Sequence, residues 1–75
     1  MPDNDKYILQ SVASALDILD LLTSNEELSV PEIAKRTGLS KSSVFRLLAT
    51  LEDRRYVRKT GTAKYRLDIK LAAMQ

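Results

Sequence analysis

Residues 33–51 read IAKRTGLSKSSVFRLLATL. Two short apolar patterns flank one glycine, and Ser, Lys and Arg crowd around it. Ile33 and Ala34 close the first pattern. Val44, Leu47, Leu48 and Leu51 make the second, at helical spacing. Gly38 offers the left-handed backbone that ends a helix, and Ser40 then caps the next, expected over residues 41–54. A surface helix favours Ala, Glu, Lys or Gln in such positions, and serines compete with it for backbone hydrogen bonds. Ser40, Ser42 and Ser43 therefore either weaken this helix or face something that rewards them.

Upstream of this stretch, Ser29 has the spacing of a helix start. Glu32 follows three residues later, as in a capping box, and Pro31 is tolerated in a first turn. That helix should run to Thr37, with Leu28 before it as a short extended bridge. Residues 11–23, SVASALDILDLLT, read as an amphipathic helix capped by Ser11. Its stripe is Val12, Ala15, Leu16, Leu19 and Leu22, with Asp17 and Asp20 off the stripe. Residues 1–10 read as a loose arm with an apolar patch at Tyr7, Ile8 and Leu9.

Downstream the period changes from helical to alternating. YVRK at 56–59 and KYRL at 64–67 read as strands joined by TGTA, with Gly61 supplying the turn. Val57 and Leu67 should point inward, and Arg58 and Arg66 outward. IKLAAMQ at 69–75 looks like the start of another helix. The fold expected is mainly α with a small β-ribbon: a winged helix-turn-helix with a three-helix core and a two-stranded wing, over 11–68. Ala34 is the small residue where two such helices cross. Ile33, Leu39, Val44 and Leu47 are the apolar residues that lock them.

Composition narrows the function. The 75 residues hold no Cys and no His. That removes disulfides, thiolate metal sites and the usual general base. No cofactor, metal or catalytic residue is expected, and Glu26 and Glu27 read as a solvated pair. A domain this small buries roughly 60% of the surface its unfolded chain exposes, so a partner would add stability. No stretch resembles a signal peptide or a membrane span, and a cytoplasmic location is expected. The net charge of +2 hides a split: residues 1–34 sum to −6 and residues 35–66 to +8. Such a dipole suits a polyanion on one side.

On a helical wheel, Val44, Leu47, Leu48 and Leu51 cluster on one side of the 41–54 helix. Ser42, Arg46 and Ala49 lie nearly opposite, flanked by Phe45, Ser43 and Thr50. Small outer side chains let a helix sink into the major groove of DNA. Arg46 could then reach a guanine edge or a phosphate, the serines phosphates or bases, and Phe45 a thymine methyl. Arg58, Lys59 and Lys64 border the turn, where a wing meets phosphates. Each has a plainer reading. Ser40 is a helix cap first. Ser42 and Ser43 could be solvated, and Arg46 could pair with Glu52 or Asp53. Phe45 could pack against the wing, and the lysines could merely keep a hairpin tip soluble.

The chain resembles the isocitrate lyase regulator (IclR) family of bacterial transcription factors. The resemblance spans residues 11 to about 72, on SVASALDILDLL, LSVPEIAKRTGLSKSSVFRLLATLEDRRYV, and YRL followed by KLA. Its most specific run is GLSKSSVFRLLATLE. It implies double-stranded DNA as partner, a palindromic operator, homodimers or tetramers, and a separate C-terminal domain that binds a small effector, toward which 69–75 would lead. It places Ser40, Lys41, Ser42, Ser43, Phe45 and Arg46 at the recognition helix. Arg55 stands where the family usually has glycine before the aromatic, and Asp68 where glycine often follows YRL. The alternative is a winged-helix module that binds protein and not DNA. It would expose a larger apolar face on the third helix. With neither His, Cys nor a glycine-rich phosphate loop, an enzyme is not expected.

Overall fold

Ser29 begins the helix-turn-helix as its spacing predicts. In the computed structural model, which describes residues 4–24 and 26–68, its hydroxyl accepts the Glu32 N–H at 3.3 Å. The Glu32 carboxylate accepts the Ser29 N–H at 2.8 Å, completing the capping box. The Ser29 backbone N–H first, and then the Ser29 side chain, hold the Glu32 carboxyl below its usual pKa, with smaller help from Lys64 and Arg36. Helix α2 then runs Val30–Thr37 and stops at Gly38, whose φ of 78° is left-handed. Nothing lies within 4 Å of the position a Cβ would occupy there. The glycine is required by its dihedral angle and not by crowding. Helix α3 follows as Lys41–Asp53.

Helix α1 spans Gln10–Leu21, starting one residue before the expected cap. Leu9 occupies the cap position without a side-chain bond, so Ser11 sits inside the first turn and caps nothing. The expected stripe is correct in part: Leu22 is buried and Ala15 and Leu19 pack against the core, but Val12 and Leu16 do not. Ser14, Ile18 and Leu22 are buried, whereas Val12 and Leu16 are 53% and 54% exposed. Apolar residues cover more than one side of α1, so periodicity alone admits two phases. Packing against α2 and α3 selects the line through Ile18. Ser14 is buried with its hydroxyl accepting from Gln10 Nε2 at 3.3 Å, which satisfies a group that would otherwise be costly to bury.

The ribbon pairs β1 (Val57–Lys59) with β2 (Tyr65–Leu67) antiparallel, Val57 opposite Leu67 and Lys59 opposite Tyr65. Leu28 and Tyr65 exchange both backbone hydrogen bonds, at 3.0 and 2.8 Å. The bridge expected at Leu28 thus ties the start of the helix-turn-helix to the ribbon. Ile18, Leu22, Leu28, Ile33, Val44, Leu48, Leu51, Val57 and Tyr65 form one core, drawn from every helix and both strands. The architecture is the expected winged helix-turn-helix, mainly α with a two-stranded wing. Residues 69–75, read from sequence as a further helix, lie outside the described residues.

Two backbone positions replace the expected use of glycine. Gly61 is not left-handed; Ala63 is, at φ 60°. Ala63 N–H bonds to Thr60 O and Thr60 N–H to Lys64 O, so the loop is a three-residue hairpin turn whose last residue is left-handed. At the end of α3, Arg55 has φ 69°. Its N–H reaches Glu52 O, and Tyr56 N–H reaches Leu51 O at 2.8 Å. This is the Schellman pattern, which normally takes glycine where Arg55 stands.

Left-handed backbone costs a non-glycine residue about 1 kcal/mol or more. Arg55 is exposed, so Arg55→Gly removes that strain without losing core contacts and should stabilise the fold by about 0.5–1 kcal/mol. Gly38→Ala should destabilise it by about 1 kcal/mol. Urea denaturation checks both signs; a fall for Arg55→Gly would contradict the role given to its dihedral angle.

Candidate nucleic-acid interface

The interface begins at the α3 cap. Ser40 Oγ accepts the Ser43 N–H at 3.1 Å, and its hydroxyl donates to Ser43 Oγ at 3.0 Å. Ser40 is therefore a cap, as its plainer reading had it, and it leaves Ser43 with its own hydrogen to donate. Val44, Leu48 and Leu51 are buried and Leu47 half-buried, which fixes the rotation of α3. Lys41, Ser42, Phe45, Arg46, Ala49 and Thr50 consequently face solvent, while Ser43 is half-buried on the flank toward α1. Phe45 is 55% exposed, so it is no core residue. Arg46 makes no ion pair among the described residues, including with Glu52 or Asp53.

The wing residues separate more than the sequence suggests. Successive strand residues point to opposite faces. Arg58 lies opposite Arg66, on the face away from the core. Lys59 shares the helix-facing side with buried Val57 and Tyr65, and is exposed because the strand ends there. Lys64 is half-buried and lies within electrostatic reach of Glu32. Of the three, Lys59 alone is an exposed cation on the face of the ribbon that carries Val57 and Tyr65.

Glu26 and Glu27 are not a free solvated pair. Glu26 binds Arg36 at 2.8 Å, and Glu27 lies 3.6 Å from Arg66. Exposed pairs of this kind contribute little stability, but they offset two cations of the basic segment. The remaining positive charge sits at Lys35, at Lys41 and Arg46 in the first half of α3, at Arg54 and Arg55 in the turn after it, and on the ribbon, with Glu52 and Asp53 offsetting it at the end of α3. A cleft of about 430 Å³ opens between the first turn of α1 and the flank of α3, lined by Gln10, Ser11, Ser14, Leu39, Ser43, Arg46, Leu47 and Thr50. Sequence reading missed Gln10 and Ser11, because no local pattern links residues so far apart in the chain. A separate apolar surface joins the arm to α1: Tyr7, Ile8, Leu9, Val12 and Leu16 are all exposed. Among the described residues no cluster of acidic side chains could hold a metal ion, and no helix is long and apolar enough to cross a membrane.

Residues 11–61 match the family profile of the IclR helix-turn-helix domain. The chain is 46% identical over 66 residues to the HTH-type transcriptional regulator XynR of Escherichia coli K12, a match covering 85% of this chain and 26% of that protein. It thus spans about a quarter of the length of that relative. The crystal structure of an IclR family transcriptional regulator from Brucella abortus superposes with a TM-score of 0.83 and 33% identity, over 99% of this chain and 29% of the other. The Zalpha domain of Carassius auratus PKZ, solved in complex with Z-DNA, superposes at 0.72 with 28% identity, over 79% of this chain and 98% of that one.

The two sides of α3 should respond differently to truncation. Leu48→Ala, in the core, should cost about 2–5 kcal/mol, whereas Phe45→Ala should stay within about 0.5 kcal/mol. Thermal denaturation of both variants checks this; a loss near that of Leu48→Ala at Phe45 would make Phe45 structural.

Proposed function

The chain belongs to the IclR helix-turn-helix family of transcriptional regulators, and from that premise we propose that it binds double-stranded DNA in a sequence-dependent manner. Helix α3 enters the major groove, and the wing rests on the backbone. The outward face of α3 carries the proposal: it is small, polar and cationic, with Arg46 unpaired among the described residues and the serines at its entry. A groove accepts a helix whose outer side chains are modest. Arg46 reads a guanine edge, Phe45 meets a thymine methyl, and Lys41, Ser42 and Ser43 hold the strand. Lys59 reaches phosphate from the wing, with Arg58 and Lys64 contributing more weakly. The neighbour solved with Z-DNA supports nucleic acid as the ligand of this fold. Against a purely protein-binding module, α3 exposes one large apolar side chain, Phe45, and no apolar face.

One recognition helix spans only a few base pairs. A palindromic operator read by a homodimer supplies the rest, with half-sites about one helical turn apart or a multiple of it. The arm and the outer stripe of α1 form the pairing surface, since Tyr7, Ile8, Leu9, Val12 and Leu16 are apolar and lie off the core. Apolar surface of this kind marks a partner site when it is contiguous. Control by a small effector belongs to a separate domain, in keeping with relatives roughly four times as long.

Binding should weaken steeply with salt. For roughly 4–8 phosphates per dimer, log affinity against log salt should have a slope of about −4 to −7; a flat response would remove DNA as the ligand. Arg46→Ala should cost about 1–3 kcal/mol at one or two base pairs of each half-site, while Lys59→Ala weakens all sequences alike. Equal losses on operator and random DNA for Arg46→Ala would make it a phosphate contact.

Deleting residues 1–9 should abolish cooperative binding to paired half-sites and leave single half-site binding intact. Footprinting on one-site and two-site duplexes measures both. Cooperativity that survives the deletion would exclude the arm as the interface.

A further inference from the structure

The cleft between α1 and α3 borders Ser43 and Arg46, but its α1 side, Gln10, Ser11 and Ser14, has no role in the reading above. It combines hydrogen-bond donors, one cation and no carboxylate. Arg46 has no ion pair among the described residues. Ser43 accepts from Ser40 and keeps its own hydrogen. Gln10 Nε2 gives one hydrogen to Ser14 Oγ and retains the other. Ser14 is only 5% exposed, so it serves as a fixed anchor that holds the Gln10 amide at the cleft. Ser11 lines the same space from the first turn of α1 and is exposed. The acids of α1, Asp17 and Asp20, lie further along the helix and do not line it.

We infer that this cleft seats a phosphate of the DNA strand bordering the groove that α3 enters, so that α1 as well as α3 holds the duplex. The inference rests on the DNA reading above. Its chemistry is that of a phosphodiester, whose charged oxygens take hydrogen bonds from Ser and amide groups without regard to sequence, with the charge of Arg46 close by while its guanidinium faces the base edge. Its position follows from the helical wheel. Ser43 and Arg46 lie toward one flank of the outward face, and Lys41 and Phe45 toward the other. A helix in a major groove has a sugar–phosphate strand on each flank. The strand on the Ser43 side passes the mouth of the cleft, where Gln10 and Ser11 meet it. Gln10 and Ser11 are thus backbone-positioning residues, and Ser14 orients Gln10.

Three variants test this. Ser11→Asp sets a carboxylate among the donors. Ser24→Asp adds the same charge at an exposed site beyond the other end of α1. Ser11→Ala removes one donor. A carboxylate in the first turn of a helix favours that helix, so weaker binding by Ser11→Asp would not report unfolding; a melting curve verifies it. Affinity is measured on a mixed-sequence duplex and on one selected by the unaltered chain. Ser11→Asp should bind about tenfold or more weakly than Ser24→Asp on both duplexes, and Ser11→Ala about two- to tenfold more weakly than the unaltered chain. Equal affinity for Ser11→Asp and Ser24→Asp would overturn the cleft and leave DNA binding standing. A loss confined to the selected duplex would also overturn it, since the cleft would then meet bases. If the unaltered chain binds neither duplex, the DNA reading itself fails.

Discussion

The chain turns at one left-handed residue, and the rest of the structure depends on that bend. Gly38 ends α2 at φ 78° with its N–H on Ala34 O. Two residues later Ser40 starts α3. The bend brings Ile33 to the same core as Val44 and Leu48, all fully buried. Once those three meet, α3 has no freedom to roll about its axis. Its outward residues are then decided by elimination, as whatever the core did not take. The outward chemistry of α3 is a consequence of packing: Ser42, Phe45 and Arg46 point out because Val44, Leu48 and Leu51 must point in.

The same logic divides the remaining surface. Leu28 and Tyr65 fasten the ribbon to the start of the helix-turn-helix, so the wing, with Lys59 paired opposite Tyr65, is an extension of the core. Helix α1 presents Ile18 and Leu22 to the core and Val12 and Leu16 to solvent. Its outer side is apolar where that of α3 is polar. Two exposed faces of opposite character on so small a domain fit two partners of opposite chemistry, a polyanion and a second copy. Exposed apolar area adds nothing to the fold of one copy, and contiguous area of this kind marks a partner site.

Much of this was legible in the sequence because the deciding signals are local. The capping box at Ser29 and Glu32, the stop at Gly38, the cap at Ser40 and the α3 stripe each need only a few neighbouring residues. What escaped were features decided by distant contacts or by unusual residues in strained positions. The phase of α1 depends on which side meets α2 and α3, and its apolar residues are too numerous to choose alone; Ile18, left off the expected stripe, is at the centre of the core. The hairpin turn put Ala63 in the left-handed position while a glycine stood two residues away. Arg55 closes α3 in a conformation that favours glycine, which gives physical meaning to the glycine usual there in the family. At the interface, the α3 residues were legible from the wheel. The opposite orientations of Arg58 and Lys59 followed from strand alternation, but the half-burial of Lys64 and the pairing of Arg66 with Glu27 needed the tertiary structure. Gln10 and Ser11 needed the tertiary packing that closes the cleft.

We propose that duplex DNA docks on the start of α3, the wing and the α1 side of the cleft, and not on the apolar residues Val12 and Leu16. Amide chemical shifts followed by NMR during titration with a selected duplex test it directly. The shifts of Ser40, Lys41, Ser42, Ser43 and Arg46 should move most, joined by Lys59 and Lys64 in the wing and by Gln10 and Ser11 at the cleft, with the Ile18 and Leu22 amides little changed. Shifts centred on Val12 and Leu16, with the start of α3 unmoved, would contradict it.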